Sequence, residues 1–226
     1  MITKILALSL QQYAFTKSFK PPNPPTPSSN VKVMRYEGLI GSFFINILTY
    51  LLSIFHLILS LCYIYIMYQQ EINSIPNLPY EDQKFSEWNL LNTFCFLCTI
   101  VGCCLRLWCF NSLKKFFAFN LEIKKNHELI KTGPYTLLIH PSYTGAFLIM
   151  SNVLLMCYQL YYYIPLYFSN NVRWILTLYL PIVISFFGIY FSIKRIIFEE
   201  EMMRNNFGKE WDEFFSQRKR FVPYIF

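Results

Sequence analysis

Residues suited to chemistry concentrate in two polar stretches of an otherwise apolar chain. The first, residues 120–143, reads NLEIKKNHELIKTGPYTLLIHPSY and holds His127 and His140, two of the three histidines. The second, residues 194–220, opens with Arg195 and Glu199 and runs on through Glu200, Glu201 and Phe207-Gly208-Lys209-Glu210-Trp211. His140-Pro141 marks a helix start, because proline fits the first turn, where its missing N–H has no partner to lose. The free N–H groups of such a start bind carboxylate or phosphate. Gly133-Pro134 shapes a turn just upstream. Arg195 and Glu199 stand four apart and share a face if the helix continues through them. On spacing alone that pair reads as a salt bridge at a membrane exit, with Arg195 anchored to headgroups. Three adjacent acids at such a level call for a cationic partner to at least one of them.

These stretches must be positioned by membrane helices. The chain is 54% hydrophobic and only 15% charged, with mean hydropathy +0.32. Several uncharged runs exceed the roughly 18–20 residues needed to cross a bilayer. The short alternating segments of a membrane barrel are absent from the sequence. The reading is all-α and polytopic, with about five spans and a cytoplasmic site formed by the 111–143 loop and the C-terminal segment. Residues 1–19 are a first span, or signal-like, though no small-x-small cleavage pattern follows them. Residues 20–37 are a linker, with five prolines between positions 20 and 30 that favour extended backbone. Residues 38–226 form the main membrane domain. Further spans are read at 39–68, 88–110, 136–163 and 174–193. His56 in the second span reads as a neutral imidazole bonded to a neighbouring helix. Arg106 is read as snorkelling outward. Pro181 and Gly188 are expected to kink or thin the last span.

The net charge of +7 does not imply nucleic acid, because the basic residues flank apolar spans. The linker carries Lys20, Lys32 and Arg35, residues 111–135 carry five lysines, and the C-terminal segment carries seven Lys and Arg. The loops at 69–87 and 165–173 are poor in both. This alternation puts both polar stretches on the cytoplasmic side. The seven cysteines lie in apolar runs and read as small buried hydrophobes. Cys95-x-x-Cys98 lacks the polar loop and second ligand pair of a zinc site, so no metal is expected.

The stretch FFAFNLEIKKNHELIKTGPYTLLIHPSYTG resembles the isoprenylcysteine carboxyl methyltransferases, especially their fungal-type members. The tail Arg195-x-x-x-Glu199-Glu200, then Phe207-Gly208-Lys209-Glu210-Trp211 and Pro223, is similar to that family's second motif. The resemblance implies a multi-pass enzyme of the endoplasmic reticulum membrane. It would move a methyl group from S-adenosylmethionine to the α-carboxylate of a C-terminal prenylated cysteine, as in CaaX-processed proteins. By position, Asn120, His127, Glu128, Leu129, Ile130, Tyr135, His140, Pro141, Ser142, Tyr143 and Glu199 would bind the cofactor. Arg195 would hold the substrate carboxylate. Membrane lipid and the prenylated cysteine are the implied partners, with no nucleic acid and no metal. Three positions depart from the family pattern: Ile139 stands where arginine is usual, Asn120 where Gln or Glu is usual, and Tyr224 where Gly is usual. Other readings are a phospholipid ethanolamine-type N-methyltransferase, a nicotinamide-dependent membrane reductase of similar C-terminal fold, and a non-catalytic scaffold.

Overall fold

The long apolar runs fold as helices because every backbone polar group is then satisfied within its own segment. The computed structural model describes residues 1–20, 22–23, 32–33, 39–73, 85–117, 122–123, 126–161 and 169–222. Most of the proline linker, Asn120, Pro223 and Tyr224 lie outside the described residues. The helices are α1 (Ile2–Phe19), α2 (Leu39–Asn73), α3 (Leu90–Leu113), α4 (Pro141–Leu160), α5 (Asn170–Trp174), α6 (Leu180–Phe207) and α7 (Lys209–Ser216). Single 3-10 turns cover Lys114–Phe116 and Gly133–Thr136. Beside these helices, β1 (Lys32–Val33) pairs antiparallel with β2 (Glu122–Ile123) and ties the linker to the 111–143 loop.

Four stretches among the described residues are long and apolar enough to cross a membrane: Thr49–Ile72, Leu90–Phe116, Pro141–Leu160 and Ile175–Phe207. The sequence reading expects about five. The difference is α1, whose apolar positions are interrupted by Lys4, Gln11, Gln12 and Lys17. Its packing still runs along the height of α3. Lys4 Nζ donates to the backbone oxygens of Phe85 (2.6 Å) and Glu87 (2.8 Å), just before α3 starts. Ser18 O accepts from Arg106 Nε (2.9 Å) near the end of α3. The polar residues Lys4 and Gln11 are buried against the bundle, where polar groups on membrane helices find partners.

The apolar core lies between α1, α2, α3 and α4 and includes Phe15, Met67, Cys103, Ile149 and Met156. Gly102 on α3 faces Gly145 on α4. A Cβ added to Gly102 would stand 2.6 Å from the Gly145 carbonyl oxygen, so only hydrogen fits there. Buried amides join the helices further along. Tyr63 Oη donates to Gln159 Oε1 (2.8 Å), and Gln159 Nε2 donates to Asn92 Oδ1 (2.9 Å). His56 Nδ1 pairs with Gln12 Oε1 on α1, the neighbouring-helix bond expected of it.

The last span is longer than the sequence suggests. A π turn at Ile175–Tyr179 precedes α6. Pro181 explains it, since its ring crowds the carbonyl four residues earlier, at Thr177, and it has no N–H to bond there. Among the described residues nothing comes within 4 Å of the place a Cβ on Gly188 would occupy, so no neighbouring helix packs into the space it leaves. The span was expected to end near residue 193, but α6 runs on to Phe207. No breaker interrupts it before Gly208, whose φ of +55° turns the chain into α7. α6 is peripheral: 11% of its most apolar window is buried, against 50% for α4.

Candidate active site

The site is built where the start of α4, the lower part of α6 and the C-terminal tail converge. Gly133 adopts a φ of +65°, in the left-handed region where glycine carries no Cβ penalty. The 3-10 turn Gly133–Thr136 follows, with Pro134 in its first residues. α4 then begins at Pro141 with His140 as its cap residue, as the His-Pro pair suggests. The carbonyl of His140 accepts from the backbone N–H groups of Tyr143 (3.1 Å) and Thr144 (3.3 Å).

The tail lies alongside this entry. Leu138 and Lys219 form a parallel bridge. Ile139 N donates to Lys219 O (2.9 Å), His140 N to Arg220 O (3.0 Å), and Thr144 Oγ1 to Phe221 O (2.8 Å). Residues more than seventy positions apart in sequence thus share one short ladder.

Two polar constellations face this point from α6. In the first, Arg195 Nε donates to Tyr143 Oη (2.9 Å), and Tyr143 Oη donates to Glu199 Oε2 (3.1 Å). The phenol therefore bridges the cation and the carboxylate that the sequence spacing puts on one helix face. In the second, Glu200 meets His140 Nε2 at 3.0 Å and takes both prongs of Arg220, Nε at 2.9 Å and Nη2 at 3.1 Å. Bidentate pairing of this kind fixes geometry as well as charge. It also raises the pKa of the Arg220 guanidinium, through the hydrogen bonds to Glu200. The cationic partner called for by Glu199-Glu200-Glu201 is Arg220, on Glu200.

An apolar wall backs both constellations. Ile139, Trp211 and Phe214 are buried together, with Leu129, Tyr135, Met203 and Phe207 packed against them. His127 stacks on Phe116, ring centroids 4.7 Å apart, and meets the edge of Phe207 at 5.9 Å. The hydroxyl of Tyr135 lies deep although its ring is half-exposed. Burial pushes its pKa well up, and neighbouring Cys109 and Glu199 push it further the same way. Lys131 Nζ reaches Glu210 at 2.9 Å and pins the loop to α7 from outside.

A comparison with protein families finds a match to part of this chain. The profile of the isoprenylcysteine carboxyl methyltransferase (ICMT) family matches residues 95–179. Over that stretch the chain is similar to the ICMT family. No curated protein matches the chain. The ICMT match runs from within α3 through the 111–143 loop and α4 to the π turn. The charged end of α6, α7 and the tail lie beyond it.

Of the residues singled out by sequence, His140, Pro141, Ser142, Tyr143, Arg195 and Glu199 come together at the foot of α4 and α6. Leu129 and Tyr135 join through the apolar wall, and His127 reaches Phe207 from the same side. Ile130 is half-buried, whereas Glu128 is exposed on the loop. Asn120 lies outside the described residues. One expectation is corrected. Arg106 does not snorkel outward but is 6% exposed inside the bundle. Its Nη1 donates to Ser142 O (3.1 Å) and Oγ (3.2 Å), while Nε holds Ser18 O. The guanidinium sits 4.7 Å over the Phe19 ring. Intramembrane charges turn to the interior where carbonyls can receive them, and here α1 and α4 supply those carbonyls.

Sequence reasoning assigned no site role to Glu200, Arg220, Arg106 or Trp211. The triple acid pointed toward Glu200. Nothing local to Arg220 or Trp211 announces that they return to His140 and Ile139.

Proposed function

We propose that this chain acts as an ICMT-type enzyme and transfers a methyl group from S-adenosylmethionine to the C-terminal α-carboxylate of a prenylated cysteine. The observation that carries the reading is the Arg195–Tyr143–Glu199 chain at the end of a membrane-grade helix. It offers a cation for a carboxylate acceptor and an anion for a cationic donor, with one phenol holding the two in register. S-adenosylmethionine supplies, when bound, an electrophilic methyl group on a sulfonium. The residues present suit it. Glu199 answers its ammonium, the apolar wall suits its base, and the wall contains a buried donor with no acceptor among the described residues, Trp211 Nε1.

Arg195 holds the acceptor carboxylate, which is ionised near pH 7 and needs no general base. The chain's contribution is therefore alignment of two reactants, a proximity effect. His127, Glu128, Leu129, Ile130, Tyr135, His140, Pro141, Ser142 and Tyr143 line the donor side, with Asn120 on the same loop. Glu200 and Arg220 hold His140 and the tail in place. Ile139 supports the reading despite the missing arginine, because its side chain is 4% exposed in the apolar wall while Arg220 supplies a cation beside His140. The prenyl chain enters from the bilayer along the exposed apolar face of α6. The enzyme sits in the endoplasmic reticulum membrane with its site toward the cytoplasm, following the distribution of basic residues.

The test is methyl transfer from labelled S-adenosylmethionine to N-acetyl-S-farnesylcysteine in purified membranes. Wild type should form the methyl ester, and Arg195→Ala and Glu199→Ala should lose it. Donor binding without transfer to this acceptor would instead favour a lipid amine, for which Arg195 has no use. Absence of donor binding would overturn the enzyme reading.

A further inference from the structure

Trp211 on α7 enters the site so far only as part of the apolar wall, with no partner assigned to its indole N–H. Its side chain is 3% exposed and packs among Ile139, Phe214, Leu129, Tyr135 and Met203. Apolar packing accounts for its ring but not for its indole N–H. Trp211 Nε1 is buried and has no acceptor among the described residues. Buried donors are nearly always paired, and a phenylalanine would fill an apolar space without that cost. The residues around it belong to the site: Leu129 and Tyr135 come from the loop, Ile139 directly precedes His140, and Met203 lies one turn beyond Glu199.

We propose that Trp211 binds the nucleoside half of the methyl donor, its N–H donating to a ring nitrogen or a ribose oxygen. This rests on the donor assignment made above. A nucleoside fits the chemistry of this wall because its planar base packs on apolar side chains and carries acceptors at its edge. The sulfonium and ammonium end does not fit, since an N–H donor offers nothing to a cation. The polarity of the site thus orients the ligand, with the charged half toward Glu199 and the neutral half toward Trp211.

The test uses the full chain in detergent, with S-adenosylhomocysteine and methylthioadenosine as probes. Methylthioadenosine keeps the nucleoside and lacks the amino-acid end. Trp211→Phe keeps a ring and removes the donor. It should weaken both probes by the same factor, about tenfold, which corresponds to about 1.4 kcal/mol for one hydrogen bond. Unchanged affinity for both would overturn the proposal, and so would a loss confined to S-adenosylhomocysteine. In a second chain Trp88, Trp108 and Trp174 become phenylalanine, leaving Trp211 as the sole tryptophan, excited selectively at the red edge of its absorption. Its emission should shift on titration with either probe, and a flat response would also overturn the proposal. A wild type that binds neither probe would instead refute the donor assignment on which the inference rests.

Discussion

Glu200→Ala tests whether the tail is held in the site by charge. The variant deletes both bonds to Arg220, at 2.9 and 3.1 Å, and leaves His140 Nε2 without its carboxylate. A charge-assisted bond contributes about 1.5–3 kcal/mol to a folded protein. Arg220 is 41% exposed, so solvent screens much of this. The backbone bonds from Ile139 and His140 to the tail also survive the substitution. A net loss of about 2 kcal/mol remains, which multiplies the population of the detached tail about 30-fold. Arg218, Lys219 and Arg220 are trypsin sites within the ladder itself. When opening and closing are fast compared with cleavage, the cutting rate follows the open population. Native-state tryptic cleavage at residues 218–220, read by mass spectrometry, should therefore accelerate about 30-fold in Glu200→Ala. The exposed neighbour Glu201 provides the control, and Glu201→Ala should leave the rate unchanged. Acceleration of less than about threefold in Glu200→Ala would mean that the backbone ladder holds the tail unaided, which would refute the assigned role of the pair.

Gly102→Ala should lower stability by about 1–3 kcal/mol in detergent thermal unfolding, because overpacking outweighs the better helix propensity of alanine. Its new methyl would stand 2.6 Å from a carbonyl oxygen that cannot move independently of α4. A neutral or stabilising result would show that α3 and α4 do not pack this closely. Tyr143→Phe removes the hydroxyl between Arg195 and Glu199 and should lower kcat/KM for methyl transfer about 10- to 100-fold, the effect of losing hydrogen bonds to charged groups. Unimpaired transfer would remove the phenol from the mechanism.

Local residue chemistry made much of this molecule legible. The apolar runs, His140-Pro141, Gly133-Pro134 and the helical phase of Arg195 and Glu199 each point to the element or contact observed. Arg106 misled because snorkelling is the default for an arginine near a helix end, and its partners Ser18 and Ser142 lie 88 and 36 positions away. The first helix falls short of membrane-grade composition for a related reason. Lys4 and Gln11 look like surface residues until the loop before α3 and the neighbouring helices receive them. Trp211 could be read as an aromatic in an amphipathic segment, but sequence alone could not reveal that its N–H is buried against the loop with no acceptor among the described residues. In each case the missing information is a long-range contact, which neither periodicity nor capping encodes.

The π turn before α6 shows how a span feature reaches the site. One extra residue in a helical turn rotates everything downstream by about 100° relative to an uninterrupted α-helix. Arg195 and Glu199 lie downstream of Ile175–Tyr179, and both meet Tyr143 on α4. Without the extra residue, the face that carries them would turn away from α4 for the rest of α6. Pro181 therefore does more than bend a membrane helix. By favouring the wider turn it sets the phase in which the polar end of α6 meets the start of α4. The apolar face remaining on the other side is the exposed surface of Ile182, Phe186, Ile189 and Ile193. Under the proposed function the same phase satisfies both requirements, with the charged groups directed at the methyl donor and the carboxylate, and the apolar face directed at lipid and at an acceptor that arrives by way of its prenyl chain.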